Sequence, residues 1–185
     1  DVRSRDENSE FVRFVRTKIT EETRRCADTR TAFWLDPTLP EGWITLDQYL
    51  NKHGPFPVDS YFAASITQQV AGALLFLHQS KIVYGNLTAQ SIVIDMDGAV
   101  HVLPPPTNWR HSMQGDIWLL GKLLLRLVSG QSEYPPPPAE FPVDQSLIKL
   151  VGQMLHTPMT AGQVRHHSTV TRIVSQKPSM FFFNQ

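Results

Sequence analysis

The chain has 185 residues, of which 17 are basic and 17 acidic, and this length suits one domain with a single core. The resulting formal charge of zero argues against a nucleic-acid binder, because such proteins neutralise phosphates with clustered lysine and arginine side chains. The uninterrupted apolar runs are a few residues long, too short for a membrane span, so we expect a soluble domain that does not bind membranes.

Residues 1–30 form a charged N-terminal extension with eight basic and seven acidic side chains. Helical spacing of Phe11, Val15 and Ile19 predicts a helix over residues 9–26. The extension starts with polar residues and lacks an initial Met, so we expect a fragment of a longer protein without a signal peptide. Its Cys26 is the single cysteine of the chain, which excludes an internal disulfide and suits a reducing, intracellular compartment, either cytoplasm or nucleus.

A long apolar helix is predicted over residues 58–79. Its side chains are apolar at helical spacing, and Asp59 is the one charged residue between positions 53 and 80. We therefore expect this helix to be buried nearly all round, with Pro57 suited to its first turn.

A short strand over residues 82–84 and a hairpin are predicted next. The hairpin joins SIVID to AVHVL through a turn at Met96, Asp97 and Gly98, a strong local signal between alternating apolar residues. Two further apolar helices follow, GDIWLLGKLLLRLVS, which Gly130 should end, and SLIKLVGQMLH. The predicted architecture is mainly α with small β hairpins.

The order of these segments resembles the C-terminal lobe of the protein kinase fold over residues 31–165. The helix ending in ALLFLH resembles the one before the kinase catalytic loop, and IVYGNLTAQSIVIDMDGAVHV lies where kinases carry that loop and the strands leading to Asp-Phe-Gly. GDIWLLG is similar to the central D-[IV]-W-S-L-G helix, and TPMTAGQV to a late segment of the lobe. TAFWLDPTLPEGWITLDQYL is compatible with the last N-lobe strand, the hinge and the next helix.

The resemblance places four residues where kinases carry catalytic groups. Asn86 lies at the position of the carboxylate base, and Thr88 at that of the lysine near the transferred phosphate. Ser91 replaces the metal-binding asparagine, and Pro104 replaces the aspartate of Asp-Phe-Gly. A neutral amide is no carboxylate base and proline has no side-chain oxygen, so we expect no catalysis, no cofactor and no metal.

The nucleotide-binding half of the kinase pattern is also missing. Residues 1–50 contain one glycine, Gly42, and one lysine, Lys18, which matches neither a Gly-rich loop nor the N-lobe lysine. We therefore expect the N-lobe to be absent or vestigial, with residues 9–26 or a partner protein covering the upper face of the lobe. The twelve residues from Pro104 to Gly115 lack an activation segment ending in Ala-Pro-Glu.

The resemblance retains four structural residues, namely His78, Tyr84, Asp116 and Trp118. Asp116 is expected to accept the backbone N–H groups of Tyr84 and Gly85, and His78 to pack at a helix end. The tail residues Phe181, Phe182 and Phe183 are expected to dock on the core, with one of them able to reach a partner.

These observations favour a catalytically inactive pseudokinase, with residues 31–185 acting as a protein–protein interaction scaffold for a partner of unknown identity. A larger cytoskeletal or kinetochore (spindle-checkpoint) protein is the expected parent. One alternative is a nucleotide-binding switch or noncanonical phosphotransferase that uses Asp95, Asp97 or Asp116 with a metal. A second alternative is a purely structural domain. Adjacent histidines at 166 and 167 do not present two nitrogens to one metal.

Overall fold

The computed structural model describes residues 11–17, 33–36, 38–53, 58–105, 112–130, 132, 134, 136 and 144–176. In these ranges the chain is mainly helical with one three-stranded antiparallel sheet, so the expected architecture is confirmed at that level. Most of the N-terminal extension, Pro57, most of the proline-rich segment over residues 131–143 and the tail residues Phe181, Phe182 and Phe183 lie outside the described residues.

The strands are β1 (Ile44–Thr45), β2 (Ile92–Ile94) and β3 (Val100–Val102). The helices are α1 (Leu46–His53), α2 (Ser60–Gln79), α3 (Met113–Ser129), α4 (Gln145–His156), α5 (Ala161–Arg165) and α6 (Ser168–Ser175). Residues 11–17 are helical as well, which we call the N-terminal helical segment, and a single 3₁₀ turn covers Ala89–Ser91.

Helix α2 is the central element of the core. Of its 20 residues, all but Gln79 are buried or half-buried, as the near absence of charge predicts. It packs against α3, α5 and α6 and against strand β3. The helix begins at Ser60 rather than around Pro57, because the Asp59 side chain accepts the N–H of Phe62 and caps the first turn.

Helix α2 is also long and apolar enough to cross a membrane when judged by length and composition alone. The sequence analysis found no such span because the polar residues 67–69 interrupt the apolar runs. Half of the qualifying window is buried inside the fold, and the hydroxyl of Thr67 donates to the carbonyl of Ala63 within the helix. This packing is that of a core helix.

The sheet has the order β1-β2-β3, with the β2–β3 pair formed as a hairpin in register Val93 to His101. The turn between them is tight, and Gly98 adopts the left-handed conformation at φ 81°, which explains the Asp-Gly signal. The strand predicted at residues 82–84 is wrong. The N–H groups of Tyr84 and Gly85 donate to a side chain instead of a β ladder.

Helices α3 and α4 pack closely at a glycine. A Cβ atom at Gly121 would lie 3.0 Å from Cβ of Met154 and 3.2 Å from Cδ2 of Leu155. The ends of α3 are both capped, by the Ser112 hydroxyl accepting the N–H of Gly115 and by Gly130 at φ 70°. These caps agree with the predicted end at Gly130.

Candidate functional site

The candidate site is the loop of residues 82–91, which connects α2 to β2 and corresponds in the kinase resemblance to the catalytic loop. Its centre is the carboxylate of Asp116, in the first turn of α3. Oδ2 accepts the N–H of Tyr84 at 2.8 Å, and Oδ1 accepts the N–H of Gly85 at 2.8 Å. The two donors are those that the sequence analysis names.

A third contact comes from the last turn of α2. Nε2 of His78 lies 2.8 Å from Oδ2 of Asp116, and the His78 side chain is 9% exposed. Because Asp116 is fully buried, its carboxylate oxygens need hydrogen-bond partners supplied by the protein. Two backbone donors and one imidazole meet that requirement, so both residues are placed as structural elements of the loop.

A capping box closes the next part of the loop. The Thr88 hydroxyl accepts the N–H of Gln90 at 3.2 Å, while the Ser91 hydroxyl accepts the N–H of Thr88 at 3.1 Å. The Ser91 hydroxyl also donates to the backbone carbonyl of Asn86 at 3.1 Å. Two of the four positions that the kinase resemblance matches to catalytic groups, Thr88 and Ser91, therefore direct their oxygen atoms into the loop.

The loop is joined to the end of strand β3 by two hydrogen bonds. The N–H of Leu103 donates to the carbonyl of Ser91 at 2.8 Å, and the Tyr84 hydroxyl donates to the carbonyl of Leu103 at 2.7 Å. Burial raises the pKa of Tyr84 above its usual range, so the phenol stays protonated as a donor. Pro104 directly follows Leu103 and is half-buried beside the loop.

The structure thus brings five of the eight described candidate residues into one connected cluster, consisting of His78, Tyr84, Thr88, Ser91 and Asp116. Asn86 contributes its backbone carbonyl, and its side chain makes no hydrogen bond to another described residue. Among the described residues, no group of three or more His, Cys, Asp or Glu could hold a metal ion.

Trp118 differs from the other expected structural residues. Its side chain is 45% exposed, because α3 turns the neighbouring Ile117 and Leu120 toward the core and Trp118 away from it. Lys122, one turn later, lies with Nζ 5.6 Å from the Trp118 ring centroid. Trp118 is therefore a surface residue of α3.

Two of the acidic residues named for an alternative metal-dependent activity, Asp95 and Asp116, make hydrogen bonds within the fold. Oδ1 of Asp95 accepts the N–H groups of Asp97 and Ala99 at 2.8 and 2.9 Å, and Oδ2 lies 2.9 Å from Nε2 of His101. Burial raises the pKa of Asp95, but these hydrogen bonds outweigh burial and hold it below the ordinary value. Asp95 therefore organises the hairpin turn, and Asp116 organises the loop.

The sequence analysis missed an aromatic stack beside this hairpin. The imidazole of His101 stacks on Trp43 with ring centroids 4.6 Å apart and an interplanar angle of 13°, and Trp43 in turn contacts Trp34 at 4.7 Å. These residues are far apart in sequence. The one available signal was a histidine alternating with valines in the second strand of the hairpin.

No protein-family model matches the chain. The mouse eIF-2-alpha kinase GCN2 is 27% identical over 129 aligned residues, which cover 55% of this chain. The human and rat proteins of the same name are 26% identical over the same length and coverage. The alignment spans 8% of the length of each of these relatives. The similarity supports a distant protein-kinase-like relationship, with which the described helices and small sheet are compatible.

Proposed function

We propose that this domain is a catalytically inactive, kinase-derived scaffold for protein–protein interaction. The observation that carries the proposal is that polar groups of loop 82–91 form hydrogen bonds with one another. At the position of the metal-binding asparagine, the Ser91 hydroxyl donates to the Asn86 carbonyl and accepts the N–H of Thr88. The distant similarity to a kinase supports the origin of the fold.

Phosphoryl transfer depends on a carboxylate that orients the attacking hydroxyl and on oxygen ligands that hold magnesium against the phosphates. Asn86 offers a neutral amide in place of the carboxylate, and Pro104 offers no side-chain oxygen. These residues do not fit a magnesium–nucleotide complex, because two of its main oxygen ligands are replaced or already hydrogen-bonded.

The contacts that build the loop are kept, although the groups that would act on a substrate are replaced. Asp116 accepts two backbone donors and contacts His78, so the lobe folds around the same loop without relying on a ligand. A stable domain without chemistry contributes to a larger protein through its surface. We propose that a protein partner binds that surface, and membership of a cytoskeletal or kinetochore assembly stays a prediction.

The test is ligand-induced stabilisation. The full chain is melted with and without millimolar ATP and Mg²⁺, beside a Ser91→Ala variant and a catalytically active kinase domain as the positive control. Binding to the native state must raise the melting temperature, so we expect no shift for this chain and a clear shift for the control. Incubation with labelled ATP and a general protein substrate should transfer no phosphate.

A rise in the melting temperature that Ser91→Ala abolishes would place nucleotide in the loop and overturn the proposal in favour of the nucleotide-binding switch. Phosphate transfer by the chain would overturn it in favour of an enzyme. The purely structural alternative predicts no nucleotide shift either, and it is separated from the scaffold by the peptide-binding experiment described next.

A further inference from the structure

The N-terminal helical segment lies on an aromatic surface of the lobe. The Phe11 ring contacts Phe33 and Tyr84, each with ring centroids 6.2 Å apart and in edge-on geometry at 71° and 82°. Phe33 in turn contacts Phe76 of α2 at 5.7 Å. We call the surface formed by Phe33, Phe76 and Tyr84 the aromatic seat.

The segment presents an apolar face to the lobe and a polar face to solvent. Val15 is fully buried and joins the hydrophobic core, while Phe11 and Phe14 are half-buried against it. Arg13, Arg16 and Thr17 are exposed. Anchors at i, i+3 and i+4 are the pattern by which an amphipathic helix binds an apolar groove.

We propose that the aromatic seat is a binding surface for an amphipathic helix, and that residues 11–17 occupy it in cis as an exchangeable cover. This inference rests on the proposed scaffold function, because it names the interaction surface and the kind of partner that fits it. The partner is a helix carrying a Phe-x-x-Phe-Val pattern with basic residues on its outer face.

The exchange follows from how the segment is held. Most helical stability in proteins comes from packing of an apolar face, so the segment is helical because Phe11, Phe14 and Val15 dock on the lobe, and it loses helical structure when it undocks. The segment and the seat belong to one chain, so docking in cis is an intramolecular event with a raised effective concentration. A helix in trans with the same contacts therefore has to compete with this local concentration.

The location of the seat links the cover to the loop. Tyr84 contributes its ring to the seat, its N–H to Asp116 and its hydroxyl to Leu103. An occupant of the seat thus touches the residue that connects loop 82–91 to helix α3 and to the end of strand β3. Binding of a helix to the aromatic seat therefore depends on the folded conformation of loop 82–91.

The test uses the full chain and a fluorescein-labelled peptide of residues 8–19, with binding followed by fluorescence anisotropy. In the double variant Phe11→Ala/Val15→Ala the cis segment loses two of its three anchors, and the seat becomes available. We expect this variant to bind the peptide at least tenfold more tightly than the wild-type chain. The matched control Arg13→Ala, on the exposed face of the same segment, should bind as the wild type does.

A second peptide carrying the same two alanines should bind none of the chains. Equal affinity of the wild-type chain and the double variant for the first peptide would overturn the inference, as would equal binding of the two peptides. If circular dichroism shows that the double variant has unfolded, the single variant Phe11→Ala replaces it under the same tenfold criterion.

Hydrogen exchange of the wild-type chain provides a measurement that needs no variant. Excess peptide should accelerate exchange of the amides of residues 11–17 and leave those of α2 unchanged, and unaltered protection of residues 11–17 would overturn the inference. The nucleotide experiment and the peptide experiment test separate claims. Binding of nucleotide would reject the proposed inactive function without affecting the peptide result. Failure of the peptide to compete with residues 11–17 would reject the exchangeable cover without affecting the proposal that the loop is inactive.

Discussion

Nε2 of His78, in the last turn of α2, lies 2.8 Å from Oδ2 of Asp116, in the first turn of α3. The same carboxylate accepts the N–H groups of Tyr84 and Gly85. One buried side chain thus joins the two central helices to the loop between them.

Replacement of Asp116 by asparagine should destabilise the domain by about 1–3 kcal/mol, because an amide N–H₂ would then face a buried N–H donor. Asp97→Asn is the matched control, since it removes the same charge from an exposed turn residue, and it should change the free energy of unfolding by less than about 0.5 kcal/mol. Urea denaturation at neutral pH measures both. Equal stability of the two variants would contradict the role of Asp116.

The Tyr84 hydroxyl should contribute about 1 kcal/mol, because Tyr84→Phe leaves the Leu103 carbonyl without this donor. Tyr61→Phe is the control, since Tyr61 is half-buried on α2 and its hydroxyl makes no hydrogen bond to another described residue. Thermal or urea unfolding compares the two. A loss in Tyr61→Phe as large as that in Tyr84→Phe would refute the assignment.

The hairpin should lose stability in acid through Asp95. The pKa of the Asp95 carboxyl is lower in the folded chain than the ordinary value of about 3.9. The contribution of this carboxylate to the free energy of unfolding is therefore complete above that pH and is lost as the pH falls through the folded pKa. Asp95→Asn should therefore be less stable than the wild type by about 1–2 kcal/mol at pH 7, with the difference shrinking below about pH 4.

Unfolding curves of the two chains at pH 7 and pH 3 measure this difference, and Asp97→Asn again serves as the control. The hydrogen bond from His101 and the two backbone N–H groups are the cause of the lowered pKa. A stability difference that is the same at both pH values would show that the Asp95 carboxylate does not act through its charge.

Two helical glycines should respond differently to replacement by alanine. A Cβ atom at Gly72 in α2 would meet the Arg165 side chain at an ordinary 3.7 Å, so Gly72→Ala should stabilise by about 0.5–1 kcal/mol. A Cβ atom at Gly121 would lie 3.0 Å from Met154 Cβ, where strain offsets the same helix propensity. Gly121→Ala should therefore melt below Gly72→Ala, and the reverse order would contradict the close packing of α3 on α4.

The helices and the hairpin could be predicted because their signals are local. Apolar periodicity identified α2, α3 and α4, and the Asp97-Gly98 pair marked the turn between β2 and β3. The resemblance to a kinase lobe, and not a local signal, predicts the hydrogen bonds from the N–H groups of Tyr84 and Gly85 to Asp116. No periodicity would have revealed a hydrogen bond across 31 or 32 positions of sequence.

The remaining features depend on tertiary contacts. Residues 82–84 have the composition of a strand, but the N–H of Tyr84 donates to the buried carboxylate of Asp116 and the N–H of Ile82 donates to the carbonyl of Leu77. Trp118 is apolar but lies on the outer side of a helix whose other face fills the core. The stack of His101 on Trp43 joins positions 58 residues apart, and the contact of Phe11 with Tyr84 joins positions 73 residues apart.

The packing of α2 has a consequence for the nascent chain. This helix leaves the ribosome before its main covers α5 and α6, since α5 begins at Ala161, about 80 residues after α2 ends at Gln79. During that interval a 20-residue apolar segment has no native neighbour on those sides, a situation in which partly folded chains aggregate. We expect the growing polypeptide to rely on chaperones until Ile173 has been synthesised.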